Sequence, residues 1–207
     1  MTPELAVRPV GDRGFLVEVG DNRRVHRLAA AVRDRYGDEL EDAVPGEETL
    51  LLCWRDDPPG RAELTAALGS LTLDGEDVVG SPDGVRIEVR YDGADLEAVA
   101  EALGVDVETV VDLHSRREYL VAFMGFAPGF AYMTGADPRL HLPRRDEPRP
   151  RVPAGSVAIA TAYTAVYPTS APGGWHLLGH TDAVLFDPDR DPPTLLAAGA
   201  RVTFVPA

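Results

Sequence analysis

Residues 152–180 read "VPAGSVAIATAYTAVYPTSAPGGWHLLGH". The run breaks into short apolar pieces, "SVAIAT", "AVYP" and "WHLLG", separated by glycine and proline. Glycine reaches backbone angles that other residues avoid, and proline cannot donate to a strand ladder, so both mark turns. Short strands joined by such turns predict a β-barrel or sandwich. The same texture begins after "REYLVAFM" (117–124) and continues through "AVLFD" (183–187) and "RVTFVP" (201–206). Between those last two, "DPDRDPP" (187–193) reads as a turn-rich loop.

The N-terminal part has a different grain. "LAVRPV" (5–10) and "FLVEV" (15–19) alternate around the turn "GDRG" and predict a hairpin. Val25, Leu28, Ala29, Val32 and Tyr36 then fall on one helical stripe, with Gly37 where a helix ends. "TLLLCW" (49–54) reads as a buried strand, "PPGRAELTAALGSL" (58–71) as a helix and "GVRIEVRY" (84–91) as another strand. Helices interleaved with strands predict a small α+β layer of ferredoxin-like type. The acidic, loop-rich "LTLDGEDVVGSPDG" (71–84) is the expected domain boundary, giving domains 1–84 and 85–207. "ADLEAVAEALG" (94–104) and "VDVETVVDLHS" (105–115) follow as short helices, the second with Asp106 as N-cap and Val105 stapled against Val110. The expected fold class is α+β, with a β-barrel or sandwich in the second domain.

A length of 207 residues suits one large domain or two small ones. No run approaches the roughly 18 apolar residues of a membrane span, and "MTPELAVRPVGDRG" carries no apolar signal core. Cys53, the one cysteine, sits in an apolar run and reads as a core filler; the pattern suits a reducing compartment and a cytoplasmic protein. A formal net charge of −14 repels phosphate backbones and anionic membrane surfaces, so neither nucleic acid nor membrane is an expected partner. All 20 basic residues are arginine. That excludes a P-loop lysine and lysine Schiff-base chemistry.

No HExxH, CxxC or EF-hand spacing is present, so no metal is expected. His176 and His180 are four apart, but Gly173, Gly174 and Gly179 argue for strand and turn. Ser156, in "AGSVA", lacks the last glycine of a nucleophile elbow and suits a turn hydroxyl, although it is kept as a candidate catalytic group. "GFAPGF" (125–130) is either a loop whose backbone approaches a ligand, walled by Phe126 and Phe130, or a tight barrel corner; spacing alone favours the corner. Arg144, Arg145, Arg149 and Arg151 could clamp a carboxylate or phosphate, or pair with Asp146, Glu147 and the acidic surface. In "SAPGGWHLLGHT" (170–181), Gly173 and Gly174 could offer N–H groups to an anion beside Trp175, or form a hairpin anchored by a core tryptophan. His114, at a helix C-terminus, is favoured as a cation by the helix dipole, or serves as a base if the barrel mouth lies nearby.

Taken in order from "LHSRREYLVAFMGFAPGF" through "PRVPAGSVAIA" to "SAPGGWHLLGHT", with "VRPVGDRGFLVEVGD" near the start, the chain resembles the allophanate hydrolase subunit 1 family. That family includes KipI, a sporulation kinase inhibitor, and the B component of bacterial 5-oxoprolinase. The resemblance implies a small α+β domain followed by a cyclophilin-like β-barrel. It implies a sister barrel subunit, of the C-component or KipA type, and in 5-oxoprolinase a third subunit. The activity it implies is ATP-driven cleavage of 5-oxo-L-proline to L-glutamate, with ATP held by the complex, on this chain or on a partner subunit. Other members imply other roles: a KipI-like inhibitor of a sensor histidine kinase, or an allophanate- or urea-type amide hydrolase subunit. The barrel likeness alone would allow prolyl isomerase activity.

The binding-loop role carries over to His114, Gly125, Phe126, Pro128, Gly129, Phe130, Pro153, Ala154, Gly155, Ser156, Tyr167, Pro168, Ser170, Pro172, Gly173, Gly174 and Trp175. His114 and Ser156 are the catalytic candidates. Arg151, Tyr163 and His180 join the loop residues as substrate-binding candidates. Two of these depart from the family pattern: Tyr163 stands where glutamine is usual, and His180 where arginine is usual.

Overall fold

The stripe at Val25, Leu28, Ala29, Val32 and Tyr36 forms the helix it predicts, α1 (Asn22–Tyr36), in a computed structural model that describes residues 5–71 and 84–207. Asp21 caps it through the Arg24 N–H, and Gly37 ends it. The chain divides into two compact units, Met1–Val78 and Val79–Ala207. The acidic stretch expected to hold the boundary lies, apart from its end residues, outside the described residues.

In the first unit, α1 follows the hairpin β1 (Ala6–Val10) and β2 (Gly14–Glu18) and precedes β3 (Leu40–Pro45), β4 (Thr49–Trp54) and α2 (Arg61–Gly69). The sheet order is β1-β2-β4-β3, all antiparallel. Moving the last strand of a β-α-β-β-α-β ferredoxin-like unit to its front produces this order. β3 has no counterpart in the sequence reading, because a bulge between Leu40 and Asp42 breaks its alternation. The core beneath the sheet centres on Trp54, whose ring meets Phe15 and Tyr36 edge-on at 5.8 and 5.9 Å. Cys53 is half-buried on β4; burial, then the carboxylates of Asp42 and Glu41, push its thiol pKa up and away from nucleophilic use.

The second unit comprises β5 (Val85–Val89), α3 (Leu96–Leu103), α4 (Val107–Ser115), β6 (Glu118–Met124), β7 (Ala131–Thr134), β8 (Arg149–Val152), β9 (Ser156–Ala160), β10 (Tyr163–Val166), β11 (Ala171–Gly173), β12 (His176–His180) and β13 (Arg201–Pro206). Seven strands form one sheet in the order β12-β9-β10-β7-β6-β13-β5, and β8 pairs with β11 beside it. Arg90, just past β5, exchanges both backbone hydrogen bonds with His180 of β12, each at 2.8 Å. The outer strands of the sheet therefore meet, and the barrel is nearly closed. Gly179 makes this possible: a Cβ there would lie 2.3 Å from the Arg90 carbonyl oxygen.

All five residues of β9 are buried. Val157 and Ile159 pack with Ile87, Val89 and Leu178, whereas Ala158 and Ala160 lie against Phe130, Tyr167 and Trp175. A strand covered on both faces has no polar side, which is why "SVAIA" shows no apolar–polar alternation. α3 and α4 add Leu96, Val99, Val110 and Leu113 to the Ile159–Leu178 cluster, with Val105 packed against it. Asp106 caps α4 through the Thr109 N–H at 2.7 Å. Among the described residues no helix is long and apolar enough to cross a membrane.

Candidate functional site

The loop joining β6 to β7 is "GFAPGF", and it is pinned by hydrogen bonds from Gly125 N–H to the Phe130 carbonyl (3.2 Å) and from Phe130 N–H to the Ala127 carbonyl (3.0 Å). Phe126 sits at φ 65°, a left-handed conformation costly for a bulky side chain, and is 59% exposed. Phe130, four residues on, is buried and forms the hub of an aromatic cluster. Its ring meets Phe126, Tyr132, Tyr167 and Trp175 edge-on at 5.1, 5.0, 5.3 and 5.8 Å. Edge-on geometry sets the positive rim of one ring against the negative face of another, each pair worth about 0.5–1.5 kcal/mol beyond area burial. Ala158, Ala160 and Ala165, on β9 and β10, pack in the same cluster, and their small side chains leave room for the rings.

These rings wall a cleft of about 260 Å³. β11 closes one side with Pro172 and Gly173. A Cβ on Gly173 would lie 2.2 Å from the Tyr167 hydroxyl oxygen, so glycine is the residue that lets this strand reach the ring. Burial, then Tyr132, raises the Tyr167 phenol pKa against the opposing pull of Arg144 and Arg149.

The remaining side is the arm of residues 142–149. Thr161 N–H donates to the Leu142 carbonyl (2.6 Å), His176 Nε2 to the Pro143 carbonyl (2.8 Å) and Arg145 N–H to the Gly174 carbonyl (2.8 Å). Arg145 and Arg149 reach past Asp146 and Glu147 to Asp95, at 2.6 and 2.7 Å. Asp95 is buried at the start of α3, yet its carboxylate does not cap that helix; it accepts the Leu177 N–H instead, at 2.7 Å. Burial alone would raise the Asp95 pKa; the hydrogen bonds from Arg149 and Leu177 and the two guanidinium charges outweigh it and hold the carboxyl below its ordinary range. Of the two alternatives for these arginines, ligand clamp or ion pair, Arg145 and Arg149 take the second, with a buried aspartate that sequence reasoning missed in place of Asp146 and Glu147. The arm so fixed leaves Arg144 and Pro148 lining the cleft.

Of the candidates taken from the sequence, Phe126, Phe130, Arg144, Tyr167, Pro172, Gly173, Gly174 and Trp175 come together at the cleft. Gly125 and Gly129 shape the loop behind Phe126. Tyr163 stands one ring further out, edge-on to Tyr132 at 5.8 Å and to Phe123 at 5.7 Å. Arg151 is exposed and donates to the Ser170 hydroxyl at 3.0 Å, off the cleft lining. Ser156 is buried at the head of β9, opposite His180 in register.

His180 faces a second concavity of about 250 Å³ at the barrel seam, where Arg90 donates to its Nδ1 at 2.8 Å and to Asp182 at 2.9 Å. Among the described residues no group of three or more His, Cys, Asp and Glu could hold a metal ion.

His114 lies in the core with no exposed surface and does not line the cleft. Thr164 Oγ1 donates to the Ala158 carbonyl (3.1 Å), so it accepts from His114 Nε2–H (2.9 Å), and Nδ1 accepts from the Tyr91 hydroxyl (2.8 Å). The imidazole packs against the Phe204 ring, tilted by 32° with centroids 4.6 Å apart. Burial pushes its pKa down to about 3, so it is neutral at pH 7 rather than the dipole-stabilised cation that its helix position suggests.

Residues 5–196 match the family described as carboxyltransferase domain, subdomain C and D. The B component of 5-oxoprolinase from Escherichia coli O157:H7 is 40% identical over 193 residues, which are 92% of this chain and 88% of that one. The B component of 5-oxoprolinase from Bacillus subtilis (strain 168) is 35% identical over 228 residues, covering 99% and 94%. Among solved structures, the TTHA0988 crystal structure superposes with a TM-score of 0.79 at 39% identity; the match covers 98% of this chain but 40% of that one. This chain therefore spans less than half the length of that relative.

Proposed function

The chain belongs to the carboxyltransferase family of subdomains C and D, and from that premise we propose that it is the B component of an ATP-dependent 5-oxoprolinase. Its complex opens the lactam of 5-oxo-L-proline to give L-glutamate. Its partners are a sister barrel subunit of the C-component type and a third subunit, in the cytoplasm. The observation that carries this reading is the 40% and 35% identity to two proteins of that name across nearly their whole lengths.

The cleft supports it. Its ring walls suit the carbons of a compact lactam and exclude water from one side of it. Tyr163 and His180, the two departures from the family pattern, both lie off the cleft lining, so neither alters what a ligand there would touch.

ATP fits this cleft poorly. A triphosphate is held by several cations and converging N–H groups, whereas Arg145 and Arg149 are bound to Asp95 and leave Arg144 alone at the cleft. We place the nucleotide on a partner. His114 and Ser156, both buried, act through the fold in this reading rather than on substrate.

The test is ATP-dependent glutamate release from 5-oxoproline by this chain alone and with its two partner subunits. Activity in the mixture alone is the expected result. An assembled complex that releases no glutamate overturns the substrate.

A further inference from the structure

We infer that Arg144 receives the carboxylate of the cleft's ligand, and that this ligand is a compact ring acid whose ring lies on the aromatic walls. The inference rests on the cleft being the substrate site and adds how that site tells an acid from a neutral lactam.

The four arginines of the arm and its continuation are not equivalent. Arg145 and Arg149 are tied to Asp95, and Arg151 donates to Ser170. Arg144 lines the cleft and has no ion pair or hydrogen-bond partner among the described residues. It shares that lining with Phe126, Phe130, Tyr167 and Trp175, and its charge lowers the Tyr167 phenol pKa. In a chain of net charge −14, an unanswered guanidinium held at a concave apolar wall is the arrangement that would select an anion.

The walls strengthen that selection. Phe130 and Trp175 are 2% and 5% exposed, so one side of the cleft is low-dielectric protein. A charge-assisted, two-pronged guanidinium–carboxylate bond gains there relative to bulk water. The cleft volume of about 260 Å³ has room for roughly nine water-sized groups at about 30 Å³ each. A five- or six-membered ring with one carboxylate fits within that space. The arm holds Arg144 from the side: Arg145 N–H is fixed to Gly174 and His176 to Pro143. The cation is therefore presented on a braced segment.

The experiment is calorimetric titration of the full chain, and of the assembled complex, with 5-oxo-L-proline and with pyrrolidin-2-one, the same ring without the carboxylate. Arg144→Gln is expected to weaken binding of the acid about 10- to 100-fold and to leave the neutral lactam unchanged, with Arg144→Lys between. Arg144 is exposed, so the variants are expected to fold, and an unchanged melting temperature checks this.

If the complex turns over 5-oxoproline and Arg144→Gln keeps the wild-type KM, the inference fails and the functional reading stands. If the complex releases no glutamate while benzoate or another ring acid binds in an Arg144-dependent way, the functional reading fails and the inference stands. Equal losses for acid and neutral lactam, or binding only of a partner's acidic peptide, overturn the inference.

Discussion

At the aromatic cleft, of about 260 Å³, the walls are buried rings and Arg144 faces them unanswered; at the barrel seam, of about 250 Å³, Arg90, His180 and Asp182 answer one another. Volume does not separate the two. State of satisfaction does. Seam polar groups hydrogen-bond among themselves in water, where pairing contributes little. Cleft polar groups are answered only in part: Asp95, out of water, holds two guanidinium groups and a backbone N–H, Arg145 Nε and Arg149 Nη1 stay buried without a partner, and Arg144 faces apolar surface. On the reading proposed above, the concavity that binds leaves a cation unpaired, whereas the one that closes the barrel answers its own charges.

The sharpest way to break this contrast is Asp95→Ala. It strands Arg145, Arg149 and the Leu177 N–H, and a buried pair that loses one partner costs about 3–5 kcal/mol. Urea unfolding should show that loss, with ligand binding at the cleft falling alongside it. A near-neutral result would mean that the arm is held without Asp95.

Second in size is an acid effect in the core, where His114 is neutral. Its folded pKa, about 3, lies below the ordinary value near 6.5. The unfolded chain therefore takes up a proton that the folded chain refuses. The stability this group supports is complete above pH 6.5 and declines as pH falls toward 3, by up to about 4 kcal/mol. His114→Gln should flatten the slope of stability against pH in that window by one proton. An unchanged slope would place the acid sensitivity elsewhere.

The smallest effects belong to the seam. Gly179→Ala brings a methyl group to 2.3 Å from the Arg90 carbonyl oxygen, and overpacking of this kind costs about 1–3 kcal/mol. Asp182→Asn, at an exposed ion pair, should barely move the melting temperature. Neither should change binding at the cleft. If either does, the two concavities are coupled and the contrast is blurred.

Much of this was legible in the residues. The α1 stripe, the Asp106 cap and the short strands after residue 117 follow from periodicity and turn chemistry, which are local. Phe126, Phe130, Pro172, Gly173, Gly174 and Trp175, which meet at the cleft, were readable because glycine, proline and aromatics recur together in "GFAPGF" and "SAPGGW". Partnerships across the chain were not. Arg145 and Arg149 find Asp95 some fifty residues away, and nothing in the spacing chooses it over Asp146 or Glu147. In sequence Asp95 looks like an ordinary helix N-cap, and only the structure shows its carboxylate directed away from α3. His114 misled because a helix-end position says nothing of what packs over it. Large and small residues alternate in "SVAIA", and that pattern could have shown that both faces of β9 are covered, one by bulky rings.

The meeting of Arg90 with His180 has a consequence for solubility. An open sheet ends in two rows of unpaired N–H and C=O groups, and such rows recruit strands from other molecules. Here the two rows cover each other: beyond Arg90, the Gly93 and Asp95 N–H groups reach the Leu178 and Leu177 carbonyls at 3.1 Å each. Prying the seam apart would bare both rows at once. The first sign of a damaged seam should be clumping of the protein at high concentration, before any ligand is lost.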